Sequence, residues 1–309
     1  MQIKSKIDIS VVIVSYNVKD LVLICLETLY KFLPNDILIE CVLVDNCSVD
    51  NTINSVQEKF PKVITIVNDF NAGFPAANNQ AFKIVTGEYI LMLNPDTEFT
   101  DDSLKKLLLK IKTDPSVSLI APMLLNSDHS RQLSVWRFPS IWSIFCETHY
   151  LNFLLGFKNY KDKDLTIPFE AQCFSGAAIL FNREVFHKIG FLDETMFWIE
   201  DTEFCYRAYH AGLKLMYFPD AKIIHHVGQS AKKNYNISIS NQIFNKMKFF
   251  KKHHSILSWS IVWILSFYHV VIKLLIFGLL SPFNKIYFKK AKAYFYTLPL
   301  VFNPPKGMK

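Results

Sequence analysis

The chain has 309 residues, half of them apolar, enough for one large or two modest domains with a sizeable core. The formal charge is +7, and the excess lies from Lys246 onward, where lysines are many and acids almost absent. That asymmetry argues for an anionic partner surface near the C-terminus and not for a basic fold throughout, and no nucleic-acid partner is expected. The six cysteines are scattered without a C-x-x-C pair, which argues for a reducing compartment and against zinc.

Met1 to Lys6 leads directly into an apolar strand, so no signal peptide is expected. Ile9 to Val14 is a β-branched run ending in the polar loop Ser15-Tyr16-Asn17. Asp20 to Phe32 places Leu21, Ile24, Cys25 and Leu29 at helical spacing. Ile39 to Val44 is a second strand, closed by Asp45-Asn46-Cys47-Ser48-Val49-Asp50. Ser48 or Asp50 is positioned to cap a helix over Asn51 to Phe60. Val63 to Val67 reads as a third strand, Asn71 to Pro75 as a loop and Ala76 to Val85 as a helix.

Tyr89 to Leu93 is a continuously apolar run that meets Asn94-Pro95-Asp96. Such a run is a strand buried on both faces, and Pro95 ends it because proline cannot donate to a sheet ladder. Asp101 caps a further helix to about Lys112, and Val117 to Ala121 is another strand. This alternation predicts an α/β fold: a doubly wound, mostly parallel sheet with helices on both faces.

Three strands end in polar clusters, Ser15-Tyr16-Asn17, Asp45-Asn46 and Asn94-Pro95-Asp96. Parallel strands bring these ends to one rim, where open α/β sheets bind ligands. Asp96 is therefore either a ligand for a divalent metal under a nucleotide diphosphate or part of a simple turn. No G-x-G-x-x-G follows the first strand and no P-loop occurs, which disfavours dinucleotide oxidoreductases and P-loop enzymes.

Val14-Ser15-Tyr16-Asn17, Val44 to Thr52, Asn71-Ala72-Gly73-Phe74, Asn78-Asn79 and Leu93-Asn94-Pro95-Asp96 occur in order. With them the chain resembles the family 2 inverting glycosyltransferases of the GT-A fold. Ser134 to Pro139 makes it similar to the rhamnosyltransferase-like branch, and the likeness runs to about Ser230.

The resemblance implies a donor-nucleotide site of Ser15, Tyr16, Asn17, Asp45, Asn46, Asp50, Gly73, Asn79 and Asn94. Asp45 would accept from the N3–H of a uracil or thymine ring. Asp96 matches the last carboxylate of the family's D-x-D, which holds Mg²⁺ or Mn²⁺ on the diphosphate. Asn94 stands where the first Asp would be, so one anionic ligand is missing.

The second half of the site is expected from Gln172 to Phe181, where Gly176 permits close backbone approach, and from Phe197 to Arg207. Asp201 reads as a helix cap or, by the resemblance, as the catalytic base. The resemblance assigns Gly176, Trp198, Glu200, Glu203 and Arg207 to the acceptor side, with pairing to Arg207 an alternative for the two glutamates. His225 is the expected second metal ligand, ahead of His226, because strand alternation turns the two apart.

The implied activity is inverting, metal-dependent transfer from a nucleotide-diphospho-sugar, best dTDP-rhamnose, to a glycan or polyprenyl-diphosphate-linked acceptor. A UDP-hexose or UDP-N-acetylhexosamine donor is the alternative, and a non-catalytic membrane-bound sugar-nucleotide binder is the reading outside enzymes. The expected division is a catalytic domain over 1–240, its nucleotide half 1–125 and acceptor half 126–240, and a membrane-associating region over 241–309.

Ser255 to Ile272 carries no formal charge, and lysines flank the apolar stretch on both sides. That pattern favours an interfacial or re-entrant helix on an anionic membrane surface over a single span or a core helix. The expected place is the cytoplasmic face of the cell membrane. The aromatic segment Trp142 to Phe157 is expected either to line the acceptor side or to form a helix on the sheet.

Overall fold

The structure is a computed structural model and describes residues 6–149, 151, 160–196, 198–226 and 235–302. The chain forms two compact units: Met1–Arg137, Lys163–Glu194 and Glu200–Val227 make the first, and Phe138–Asp162, Thr195–Ile199 and Gly228–Lys309 the second. Two stretches from the middle of the chain thus fall in the same unit as the C-terminal helices.

In the first unit the order is β1 (Ile9–Ser15), α1 (Lys19–Lys31), β2 (Ile39–Asp45), α2 (Thr52–Lys59), β3 (Ile64–Val67), α3 (Phe74–Phe82) and β4 (Tyr89–Leu93). Next come β5 (Thr97–Phe99), α4 (Ser103–Thr113), β6 (Val117–Leu125) and β7 (Val135–Trp136). In the second unit, α5 is Ile141–Thr148. The first unit resumes with β8 (Phe169–Glu170), β9 (Cys173–Phe174), β10 (Ala178–Asn182), α6 (Val185–Ile189), α7 (Glu200–His210) and β11 (Lys214–His225).

The main sheet runs β3-β2-β1-β4-β10-β6-β11-β5, with β8 beside β11. β1 pairs in parallel with β2 and β4, and β6 with β11, but β10 enters antiparallel between β4 and β6. The sheet is therefore mixed and mostly parallel. The antiparallel β10 was not legible in the alternating pattern, since a short apolar run reads the same in either direction. β1 and β4 are buried along their whole length, as expected of central strands.

Helices cover both faces. On one, Val22, Cys25, Leu26 and Leu29 of α1 and Leu104, Leu107 and Leu108 of α4 pack with Ile9, Val11 and Ile13 of β1. On the other lies an aromatic cluster that includes Phe82 of α3, Phe181 of β10, Phe186 of α6 and Phe204 of α7, with Phe82 and Phe186 centroids 4.9 Å apart. Five of the six cysteines are buried and all six are free, in keeping with thiols used as small core residues.

Asp20 does not cap α1. Asp50 accepts from the first helical N–H, that of Lys19 31 residues earlier, over 2.8 Å, and also from Thr52 at the start of α2. One carboxylate thus closes two helix starts.

The second unit holds α5, α8 (Tyr235–His253), α9 (Ile256–Leu280) and α10 (Lys285–Leu300), with a 3-10 turn at Ser281–Phe283. The first part of the Trp142 to Phe157 segment is thus helix α5, and it packs on α9. The rest of that segment lies mostly outside the described residues. Ser255 caps α9 by accepting from Ser258, and Asn284 caps α10 by accepting from Ile286.

Candidate active site

The C-terminal ends of β1, β2, β4 and β11 lie on one edge of the sheet, as their parallel sense requires. At the first two, the Asp45 carboxylate is 1 % exposed and accepts from the Ser15 hydroxyl at 2.8 Å, the Ser48 hydroxyl at 2.6 Å and the Ser48 N–H at 2.8 Å. A carboxylate offers about four lone-pair sites, so roughly one remains, on Oδ2. Asn17, at φ 54°, accepts from the Val49 N–H and donates its own N–H to Ser48, which ties the two rim loops together. Tyr16 stays 48 % exposed beside them.

Three residues of the expected nucleotide site also make internal hydrogen bonds. Asn46 accepts from Asn68 and donates to the Gly73 carbonyl, which is how Gly73, at φ 87°, is held. Asp50 serves the two helix starts. Asn79 donates to the Leu192 carbonyl and Glu194, and accepts from the Leu192 N–H at 3.0 Å. These bonds hold the loops of the motif in place at the sheet edge.

The end of β4 is organised by a strand the periodicity did not reveal. β5 begins directly after Asp96 and pairs antiparallel with β11, so that Thr97 faces His225. The His226 N–H donates to the Asp96 carbonyl at 2.8 Å. This register sets His225 Nε2 3.2 Å from Asp96 Oδ1 and 3.4 Å from the Asn94 side-chain nitrogen. Asp96 Oδ1 is buried and accepts no hydrogen bond. His226 points away, between Ser127 at 2.8 Å and Glu98 at 3.0 Å.

Gln132 was not singled out from sequence, yet it sets the chemistry of His225. Its amide nitrogen donates to the His225 and Asn126 oxygens, so its oxygen must face His225 Nδ1, at 2.8 Å. Nδ1 then carries the proton and Nε2 the lone pair, a tautomer assigned from the network. Two lone-pair atoms, His225 Nε2 and Asp96 Oδ1, thus face each other at 3.2 Å. That is a fit for a cation, with a histidine fixed through its other nitrogen as metal ligands are. Among the described residues no cluster of three or more His, Cys, Asp or Glu side chains accompanies them, so a metal there depends on ligands from elsewhere.

Across the sheet edge, the Gly176 N–H donates to Asp201 Oδ2 at 2.9 Å, and Thr202 donates its N–H to Oδ1 at 2.6 Å. Burial pushes the Asp201 carboxyl above its ordinary value, and these hydrogen bonds oppose the shift. The close approach that Gly176 permits is to Asp201: a Cβ there would stand 3.3 Å from Asp201 Cβ. Thr202 is itself held by Trp136 Nε1 at 3.3 Å, a contact no local pattern announces.

Glu203 is fully buried and chelates Arg207 Nε at 3.0 and 2.9 Å, while the Arg207 guanidinium also donates to the carbonyls of Ile189 and Phe191. For Glu203 the structure shows the expected alternative, a pair with Arg207 that holds the chain at the end of α6. Glu200 opens α7 half-buried. Trp198, 41 % exposed at φ 79°, belongs to the second unit. Phe197 and the Gly228 and Ser230 positions beyond His226 lie outside the described residues.

The profile of glycosyl transferase family 2 matches residues 10–190, more than half of the chain. The chain belongs to glycosyl transferase family 2. It is a glycosyltransferase with the GT-A fold. It is 25 % identical over 211 residues to the N-acetylglucosaminyl-diphospho-decaprenol L-rhamnosyltransferase of Mycobacterium tuberculosis, covering 62 % of this chain and 68 % of that one. It is 24 % identical over 208 residues to the dTDP-rhamnosyl transferase RfbF of Shigella flexneri, covering 64 % of this chain and 63 % of that one. Among solved structures, the mannosyltransferase PcManGT of Pyrobaculum calidifontis, in complex with GDP-Man and Mn²⁺, has a TM-score of 0.54 at 17 % identity. The alignment covers 96 % of this chain and 86 % of that one. GalNAc-T7, with UDP, GalNAc and Mn²⁺, has a TM-score of 0.55 at 17 % identity, over 83 % of this chain and 56 % of that one. At these identities the structures speak for the shared fold.

Proposed function

We propose that the protein transfers a sugar, best rhamnose from dTDP-rhamnose, with inversion, to a lipid-linked or polysaccharide acceptor. The observation that carries this reading is the Asp201 carboxylate. It is held on one side by the Gly176 N–H and on the other by Thr202, with its proton affinity raised by burial. An inverting transfer is one in-line displacement: the acceptor oxygen bonds to the anomeric carbon, the bond to the diphosphate breaks, and the acceptor proton must go to a base. Oδ2 takes a single N–H and keeps a lone pair for that proton.

Asp45 retains one acceptor site suited to the N3–H of a pyrimidine base, and Tyr16 offers an exposed ring beside it. Asp96 and His225 would hold Mg²⁺ or Mn²⁺, with Asn94 as a neutral neighbour and the donor diphosphate completing the shell. When bound, the metal stabilises charge growing on the leaving diphosphate. The choice of donor and acceptor is supported by the two rhamnosyl transferase relatives, one of which is named for a diphospho-decaprenol acceptor. The apolar helix α9 and its basic flanks support attachment at the cytoplasmic face of the membrane, where a lipid-linked acceptor is presented.

The test is release of nucleoside diphosphate from dTDP-rhamnose, UDP-hexoses and UDP-N-acetylhexosamines, with lipid extract as acceptor and Asp201→Asn as control. The expected result is acceptor-dependent release from dTDP-rhamnose that the control abolishes. Release from a UDP-sugar alone would overturn the donor, and undiminished turnover by Asp201→Asn would overturn the base. Donor binding without release under any condition would leave a sugar-nucleotide binder.

A further inference from the structure

Helix α9 buries two polar residues, Ser266 and Lys273, beside Val262 and Val270, and leaves a stripe of large apolar residues exposed. Leu257, Ile264, Leu275 and Leu279 repeat at helical spacing along one side and are 69, 57, 58 and 77 % exposed. Ser266 and Lys273, from the opposite side, are 6 and 7 % exposed. In a water-soluble bundle the arrangement is reversed, because the apolar stripe is what folding buries. An outward apolar face over 28 residues, Ile256–Phe283, is instead suited to lipid.

The inward face of α9 opens on a cavity of about 200 Å³ within the second unit. Its polar lining includes Glu147 of α5, Lys246 of α8, Ser266, His269 and Lys273 of α9, and Tyr294 of α10. Lys246 is ion-paired with Glu147, and the Tyr294 hydroxyl stands 3.5 Å from His269 Nε2. The lining thus holds two ammonium groups and one carboxylate, together with hydroxyl and imidazole groups able to donate. Ionisable groups inside an apolar, lipid-facing bundle are costly and mark binding sites for charged ligands. An excess of cationic donors selects an anion, and several convergent donors select one with several acceptor oxygens.

We infer that this cavity binds the phosphate of a membrane-lipid head group, with Lys273 as the central cation. The inference rests on the reading of the second unit as membrane-bound. The surface lysines 285, 289 and 292 at the start of α10 are exposed and supply general attraction to an anionic leaflet, which is a separate effect.

The experiment uses the full chain in a non-ionic detergent, titrated with dioleoyl phosphatidate, a polyprenyl phosphate or uncharged diacylglycerol and followed by native mass spectrometry. One phosphate-bearing lipid per chain is expected to be retained, and diacylglycerol is not. Lys273→Met, of similar length, weakens retention at least tenfold, Lys273→Arg restores it, and the pair Lys289→Gln and Lys292→Gln leaves it unchanged. Preference for the polyprenyl phosphate assigns the site to a prenyl lipid, and preference for phosphatidate to the bilayer. Equal retention by wild type and Lys273→Met overturns the cavity as the site. Flotation of both proteins with phosphatidylcholine vesicles is read in parallel; its failure in the wild type would overturn the membrane reading instead.

Discussion

The Gly176 N–H donates to Asp201 Oδ2 over 2.9 Å, and any side chain at residue 176 would crowd the same carboxylate, with a Cβ 3.3 Å from Asp201 Cβ and 3.6 Å from Met92 Cε. Gly176→Ala displaces Asp201 by a few tenths of an ångström. Loss of alignment on that scale is expected to lower kcat by about tenfold. The donor KM stays near wild type, because the nucleotide rim is untouched. Steady-state release of nucleoside diphosphate measures both; an unchanged kcat would remove Gly176 from the positioning of the base.

The acid limb of the pH profile reports Asp201. Burial raises its pKa above the ordinary 3.8, with hydrogen bonds from Gly176 and Thr202 opposing. A base acts ionised, so kcat/KM falls as pH drops through that raised value. The expected limb lies above the ordinary carboxylate value. The sign for stability is opposite: the folded state holds this proton more tightly than the unfolded state. The Asp201 contribution to stability therefore declines as pH rises from the ordinary value through the raised one. A limb at or below the ordinary carboxylate value would contradict the assignment.

Metal dependence separates Asn94 from Asp96. Asn94→Asp adds an anionic ligand near His225 Nε2, from which the Asn94 amide nitrogen now stands 3.4 Å away. The half-saturating Mn²⁺ concentration is expected to fall by about tenfold, and to rise at least about tenfold in Asp96→Asn. Titration of Mn²⁺ against intrinsic fluorescence, alongside turnover, reads binding independently of catalysis. Equal Mn²⁺ dependence in all three proteins would take the metal away from this edge.

Asn79 and Glu203 are expected to matter for stability. Asn79→Ala strands the buried N–H and carbonyl of Leu192 and should cost about 2–4 kcal/mol. Glu203→Ala strips the buried partner from Arg207 and should cost about 3–5 kcal/mol. Urea unfolding gives both values, and donor KM measured at low temperature is expected to hold near wild type. A large rise in KM for Asn79→Ala, with stability intact, would return that residue to the nucleotide site.

Much of the α/β framework was legible in the sequence. The β-branched run at Ile9, the double-buried run at Tyr89 and the stop at Pro95 predicted β1, β4 and the loop bearing Asp96, because periodicity and proline chemistry act locally. The identities of Asp45, Asp96, Asp201 and His225 were also singled out. Their partners were not. Asp50 serving α1, Gln132 orienting His225, and Asn79 pinning Leu192 each join segments between 31 and 113 residues apart. No local pattern distinguishes an amide that meets a ligand from one that meets a distant carbonyl.

Residue pattern alone settled which strands are central, where they stop and which carboxylates reach the sheet edge. Tertiary structure decided what those groups face. The β5–β11 register brought Asp96 to His225, Gln132 chose the tautomer, and burial raised the proton affinity of Asp201 against the hydrogen bonds of Gly176 and Thr202. It also decided which side of α9 looks outward. The reason is physical: backbone conformation follows from neighbouring residues, whereas proton affinity, tautomer and ligand geometry follow from burial and hydrogen bonds made across the fold.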